Sequence, residues 1–105
     1  MSDSVIPTTD IHGIPEVIPA DLVVLDVREP HEWAAGHIAG ALHIPMGELP
    51  SRVGELDPAA RTVVVCHVGG RSARVTAWLH AQGHDVVNLD GGMDAWEQAG
   101  RPVAS

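Results

Sequence analysis

The sequence contains no lysine, no phenylalanine and no tyrosine, and only one cysteine. Each absence removes a class of function. Six basic residues, all arginine, against fourteen acidic ones leave a formal net charge of −8, which argues against a nucleic-acid or anionic-membrane partner. A lone cysteine cannot close an internal disulfide, a usage that fits a reducing, cytoplasmic setting. No apolar run is long enough to span a bilayer. Met1-Ser2-Asp3-Ser4 lacks the basic-then-apolar order of a signal peptide. The aromatic part of the core is expected from Trp33, Trp78 and Trp96. What remains is ordinary globular composition, 45% hydrophobic and 19% charged over 105 residues, and it suits a single domain covering residues 1–105. There is no internal repeat, low-complexity segment or linker.

The most informative stretch runs from Thr62 to Ala81. Thr62-Val63-Val64-Val65 reads as a strand buried on both faces, as in a parallel sheet. After Cys66-His67-Val68-Gly69-Gly70-Arg71-Ser72, the residues Val75, Trp78 and Leu79 recur at helical spacing, and Gly83 suits a left-handed helix end. Cys66 therefore stands at the carboxyl end of a central strand, facing the start of a helix. Gly69 and Gly70 let the backbone curl so that several N–H groups point at one spot. Such a nest at a helix amino terminus favours an anion, either the Cys66 thiolate or a bound oxyanion beside it. Arg71 adds a fixed charge with bidentate geometry. Free cysteines usually fill cores, but that reading leaves the di-glycine turn and the arginine unexplained.

Elsewhere the pattern alternates. Val5 to Asp10 suits a short edge strand limited by Pro7, and Gly13 to Ile18 a short helix. Leu22 to Leu25 is a buried strand ended by Asp26. Val27-Arg28-Glu29 is a loop, and Pro30 to Ala35 a helix closed by Gly36. Ala41 to Ile44 is a strand stopped by Pro45, followed by a helix from Gly47 to Leu56 with Pro50 near its start. His84 to Leu89 is a strand, Asp90-Gly91-Gly92 a turn, and Met93 to Ala99 a helix ended by Gly100 and Pro102. Arg101 to Ser105 is expected to fray. Strands alternating with helices at short spacing imply an α/β fold with a mostly parallel sheet of about five strands. In such sheets chemistry gathers beyond the carboxyl ends of the strands, where both Asp26 to Glu29 and Cys66 to Arg71 lie.

Three blocks of residues resemble the single-domain members of the rhodanese family of sulfurtransferases. Asp26-Val27-Arg28-Glu29-Pro30-His31-Glu32-Trp33, continuing through Gly36-His37-Ile38-Ala39-Gly40-Ala41 to His43-Ile44-Pro45, resembles the first signature of that family. Cys66 to Ser72 resembles its active loop, C-x-x-G-x-R-S. Leu89 to Trp96, with Ala99-Gly100 and Pro102, resembles its closing block. The likeness reaches from about residue 22 to 102. It implies a rhodanese-like α/β domain, with helices on both faces of the sheet, and neither a metal nor an organic cofactor. It further implies that Cys66 takes a sulfane sulfur from a donor such as thiosulfate, becomes a persulfide and passes the sulfur to a thiol or cyanide. Backbone groups from His67, Val68, Gly69, Gly70 and Ser72 would cradle the outer sulfur, and Arg71 would serve an anionic donor. Many relatives have arginine at His67, and a largely neutral imidazole there weakens the case for dianionic thiosulfate.

The remaining candidates are weighed by their neighbours. Asp26 is expected to support the loop by an ion pair, while Arg28 is open between that role and lining the pocket. Arg74 is expected to be a solvated or loop-bracing charge. His31, His37 and His43 match neither zinc spacing nor one helical face, so His37 and His43 are expected to be hydrogen-bonded structural residues. A cysteine-dependent phosphatase is an alternative, but only four residues separate Cys66 from Arg71, a ring better sized for one sulfur than for phosphate. A non-catalytic sensor or interaction module is another, opposed by the presence of Cys66. The expected partners are a small sulfane-sulfur donor and a thiol or protein-thiol acceptor, with the chain itself a monomer or weak dimer.

Overall fold

The computed structural model describes residues 6–105. Five strands form one parallel sheet: β1 (Thr8–Thr9), β2 (Val23–Asp26), β3 (Leu42–His43), β4 (Thr62–Val65) and β5 (Val86–Leu89), in the spatial order β1-β5-β4-β2-β3. Four α-helices connect or follow them: α1 (Pro30–Ala35), α2 (Leu49–Arg52), α3 (Gly70–Ala81) and α4 (Gly92–Gln98). The period of two along β4 divides the core. Val63 and Val65 enter one apolar cluster with Met93 and Trp96 of α4. Val64 and Cys66 enter the other, with Leu49 of α2 and Val75 and Leu79 of α3. The strand therefore aims Cys66 at the α3 side, and helices cover both faces.

Several local expectations need correction. The helix proposed for Gly13 to Ile18 is a single 3-10 turn at Ile11–Gly13, capped by the Asp10 carboxylate accepting from His12 N–H at 2.9 Å. Pro15 disfavours a helical conformation at Ile14, which is extended. The edge strand shrinks to Thr8–Thr9, the Val5 part of that proposal lying outside the described residues. The Gly47–Leu56 helix breaks into the one α-turn of α2 between 3-10 turns at Met46–Glu48 and Val53–Glu55. The carboxyl-terminal segment does not fray: Ala104 exchanges backbone hydrogen bonds with His37 at 2.7 and 2.8 Å, and Arg101 donates to the carbonyls of Ile11 and Pro15. Of the three tryptophans only Trp96 is fully buried. Trp78 is 39% exposed, because the stripe that α3 turns inward is Ser72, Val75, Thr76 and Leu79, which keeps the expected Val75 and Leu79 and leaves Trp78 at its margin.

Candidate active site

The site is assembled at the carboxyl ends of β2 and β4, and Cys66 is its centre. Its Sγ accepts a hydrogen bond from Gly69 N–H at 3.1 Å and lies 3.3 Å from Ser72 Oγ. Gly69, at φ +113°, is the residue before α3 and turns its amide back onto the sulfur; a side chain there would be strained and crowded against Gly91 N. Ser72 Oγ also sits 3.2 Å from Gly69 O. One hydroxyl proton thus has two acceptors. With the thiol it satisfies the carbonyl; with the thiolate it serves the sulfur. Burial pushes the Cys66 thiol up, but the Ser72 hydroxyl and the backbone N–H groups of Ser72, Gly69 and Arg71 outweigh it and bring the thiol below its ordinary value.

The far side of the loop is held by α4, a role the sequence reading missed. Met93 N–H donates to Cys66 O at 2.8 Å and Asp94 N–H to His67 O at 2.9 Å. The first amides of α4, orphaned within their own helix, thereby fix two loop carbonyls outward and leave the loop amides to face the sulfur. Gly92, at φ +51°, must be glycine for this approach, since a Cβ would collide with Cys66 O. The adjacent glycines Gly91-Gly92 were the available signal, but they were read only as a turn.

Arg28 is buried and paired with Asp26. It is 5% exposed, its Nε and Nη2 grip the Asp26 carboxylate at 2.8–3.1 Å, and Nη2 also donates to Gly36 O at 2.7 Å. This geometry revises its placement among the substrate-binding candidates and gives Asp26 the supporting role expected of it. His43 Nε2 lies 2.8 Å from Arg28 O, and His37 Nδ1 lies 2.9 Å from Trp33 O. Both imidazoles stack on the Trp33 indole. Among the described residues no group of three acidic, cysteine or histidine side chains is placed to hold a metal ion.

Arg71 is not the free counter-charge that was expected. Its Nη1 and Nη2 donate to Glu32 Oε1 and Oε2 at 2.7 and 2.9 Å. Glu32 Oε1 also accepts from Glu29 N–H at 3.0 Å, so one carboxylate caps α1 and clamps the first turn of α3. The guanidinium holds the Glu32 carboxyl well below the usual range, at about 2. Glu32 was missed because its partner is distant in sequence. His67 and Val68 stand exposed at the crown of the loop, Val68 by 60%. Along α3 beyond Arg71, an apolar groove of about 170 Å³ is lined by Met46, Leu49, Pro50, Arg74, Val75 and Trp78.

Residues 16–99 match the model of the rhodanese-like domain. The chain belongs to the rhodanese-like family. Its sequence is 38% identical over 86 residues to a sulfurtransferase of Allochromatium vinosum, covering 81% of this chain and 80% of that one. Thiosulfate sulfurtransferase GlpE of Pseudomonas putida is 41% identical over 75 residues, or 70% and 68% of the two chains. The crystal structure of a rhodanese-related protein from Thermoplasma volcanium superposes with a TM-score of 0.77 at 37% identity, over 80% of this chain and 84% of that one. In this rhodanese-like domain, the three sequence blocks are the parts that meet in space. The first supplies Glu32 and the Asp26–Arg28 brace, the second the sulfur and its amides, and the third the α4 amides that hold the loop.

Proposed function

We propose that the chain is a sulfurtransferase that moves a sulfane sulfur from a donor to a thiol or cyanide acceptor through a persulfide on Cys66. The observation that carries this reading is a buried sulfur, 1% exposed, held by an amide at 3.1 Å and a hydroxyl at 3.3 Å. The thiolate attacks the outer sulfur of the donor, whose bond to its leaving group breaks with the electron pair. The persulfide places the transferred sulfur one bond further out, where loop amides stabilise its charge without a proton being moved. An acceptor nucleophile then takes that sulfur and returns Cys66 to the thiolate. No general base is required, because the environment already favours the charged sulfur.

The short loop from Cys66 to Arg71 and the engagement of Arg71 by Glu32 both favour sulfur over a phosphate ester. Intact-mass measurement after incubation with inorganic polysulfide tests the reading. A gain of one sulfur atom, lost on adding cyanide and absent in Cys66→Ser, is expected. No gain under those conditions overturns it.

A further inference from the structure

We propose that Glu32 withholds Arg71 from the sulfur donor, so that the site selects an organic hydropersulfide, RS–SH, over a dianion such as thiosulfate, with the organic stem lying in the groove along α3. This rests on the sulfur-transfer reading above. The Glu32–Arg71 pair carries the first part. Both terminal nitrogens of the guanidinium are committed to one carboxylate, with side-chain exposures of 31% and 22%. A dianion entering the loop must displace that bidentate partner or sit beside its negative charge, and either is unfavourable.

Among the described residues, the arginines other than Arg74 at the groove rim are engaged elsewhere. Arg28 is closed by Asp26, Arg52 pairs with Glu48 and Glu55, and Arg61 pairs with Asp85. Arg101 lies over the Trp96 ring and donates to the carbonyls of Ile11 and Pro15. His67 at the loop crown is exposed to solvent. The whole chain carries −8, so a dianion approaches against the field. The protonated form RS–SH, which is the electrophile the thiolate attacks, is uncharged and meets none of these penalties.

The groove carries the second part. Arg71, Arg74, Val75 and Trp78 share one face of α3, and the groove opens one turn past Arg71, a step of about 5 Å along the axis. Met46, Leu49, Pro50, Val75 and the half-exposed Trp78 give it an apolar wall. Thiosulfate has nothing to place there, whereas an alkyl stem does. Among the described residues no carboxylate pairs with Arg74 at the rim, so it can meet a polar or anionic end of the stem.

The step balances with the donor alone. The Cys66 thiolate attacks the outer sulfur of RS–SH, and the donor's S–S bond breaks with its electrons going to RS⁻. RS⁻ takes a proton from water, and Cys66 keeps the sulfur as a hydropersulfide.

The test compares rates of Cys66 loading by thiosulfate and by tert-butyl hydrodisulfide in wild type and in Glu32→Gln. Freeing Arg71 is expected to raise the thiosulfate-to-hydrodisulfide ratio about tenfold, equivalent to about 1.4 kcal/mol. An unchanged ratio, or an equal fall for both donors, reduces Glu32 to a brace and overturns the inference. Failure of both donors to load wild type overturns the sulfur-transfer reading itself, and this inference with it. A second measurement needs no variant at that position. Loading of wild type by thiosulfate should speed up as sodium chloride screens the acidic surface, while loading by the hydrodisulfide stays flat; a thiosulfate rate that falls with salt would show Arg71 acting as the attractor. For the groove, Trp78→Ala should lower hydrodisulfide loading relative to thiosulfate by about fivefold through lost apolar burial, and an unmoved ratio removes the stem from the groove.

Discussion

The ends of β2 and β4 each place a charged device at the same edge of the sheet, and they use it in opposite ways. At the end of β2, Asp26 and Arg28 face each other with side-chain exposures of 2% and 6%, and Nε and Nη2 of Arg28 bond to Asp26 and to the Gly36 carbonyl. At the end of β4, the sulfur is met by the Ser72 hydroxyl and by backbone N–H groups of the loop and the start of α3, and all favour its charged form. The first arrangement is turned inward, with Nε and Nη2 of Arg28 committed to Asp26 and Gly36. The second is an anion site whose occupant is the protein's own sulfur. Between them Glu32 and Arg71, part-buried, tie α1 to the loop. Burial separates the roles: a pair removed from water shapes the scaffold, and a pair at its margin remains able to influence what arrives.

This contrast is sharpest under Cys66→Ser. Sulfur transfer should be abolished while the thermal midpoint stays within a few degrees of wild type, measured by thiocyanate formation and circular dichroism. Retained turnover would break the comparison at its centre. The converse change is Asp26→Ala, which leaves the Arg28 charge buried without its partner. Chemical denaturation should report a loss of about 3–5 kcal/mol, and a loss near zero would show that the brace is dispensable.

Ser72→Ala tests the sulfur's environment with a smaller effect. Removing the hydroxyl takes away the largest of the groups that favour the thiolate. The pH inflection for iodoacetamide alkylation of Cys66 should move up, since the largest of the groups holding it down is gone. In wild type the folded state favours the thiolate, so stability from this group grows as pH rises from the depressed folded value toward the free-cysteine value of about 8.5. That gain should shrink in the variant, and an unmoved inflection would leave the amides as the whole cause.

The smallest expected effect concerns Glu32 in acid. Its folded value, about 2, lies below the ordinary 4.5, so its contribution is fully present above about 4.5 and is lost as pH falls toward 2. At neutral pH Glu32→Gln should cost about 1–2 kcal/mol, less than Asp26→Ala, and the variant should lose less stability than wild type on going from pH 5 to pH 3. Identical acid profiles would remove the ion pair from the stability of the loop.

Much of this molecule was legible along the chain. The four residues of β4, the glycines before α3 and the position of Cys66 are local features, and they sufficed to place the sulfur at a strand end beside a helix start. Asp26 with Arg28 was legible because the partners are two residues apart. The roles of Glu32 and of Met93 and Asp94 were not, since each depends on a neighbour far away in sequence. Trp78 was misplaced for a related reason. Helical spacing identified Val75 and Leu79 correctly, but whether a residue at the edge of the stripe is covered is settled by which side chains the sheet and α2 receive.

The sequence by itself determined the alternation of strands and helices, the turn at Gly69-Gly70 and the place of the cysteine at a strand end, because backbone sterics and hydrophobic period act over a few residues. Only the tertiary structure decided which charges meet. The sheet order brings α1 beside the first turn of α3 and the start of α4 beneath the loop carbonyls. Coulomb attraction and hydrogen bonding depend on distance in space, and that distance exists only once the strands have paired.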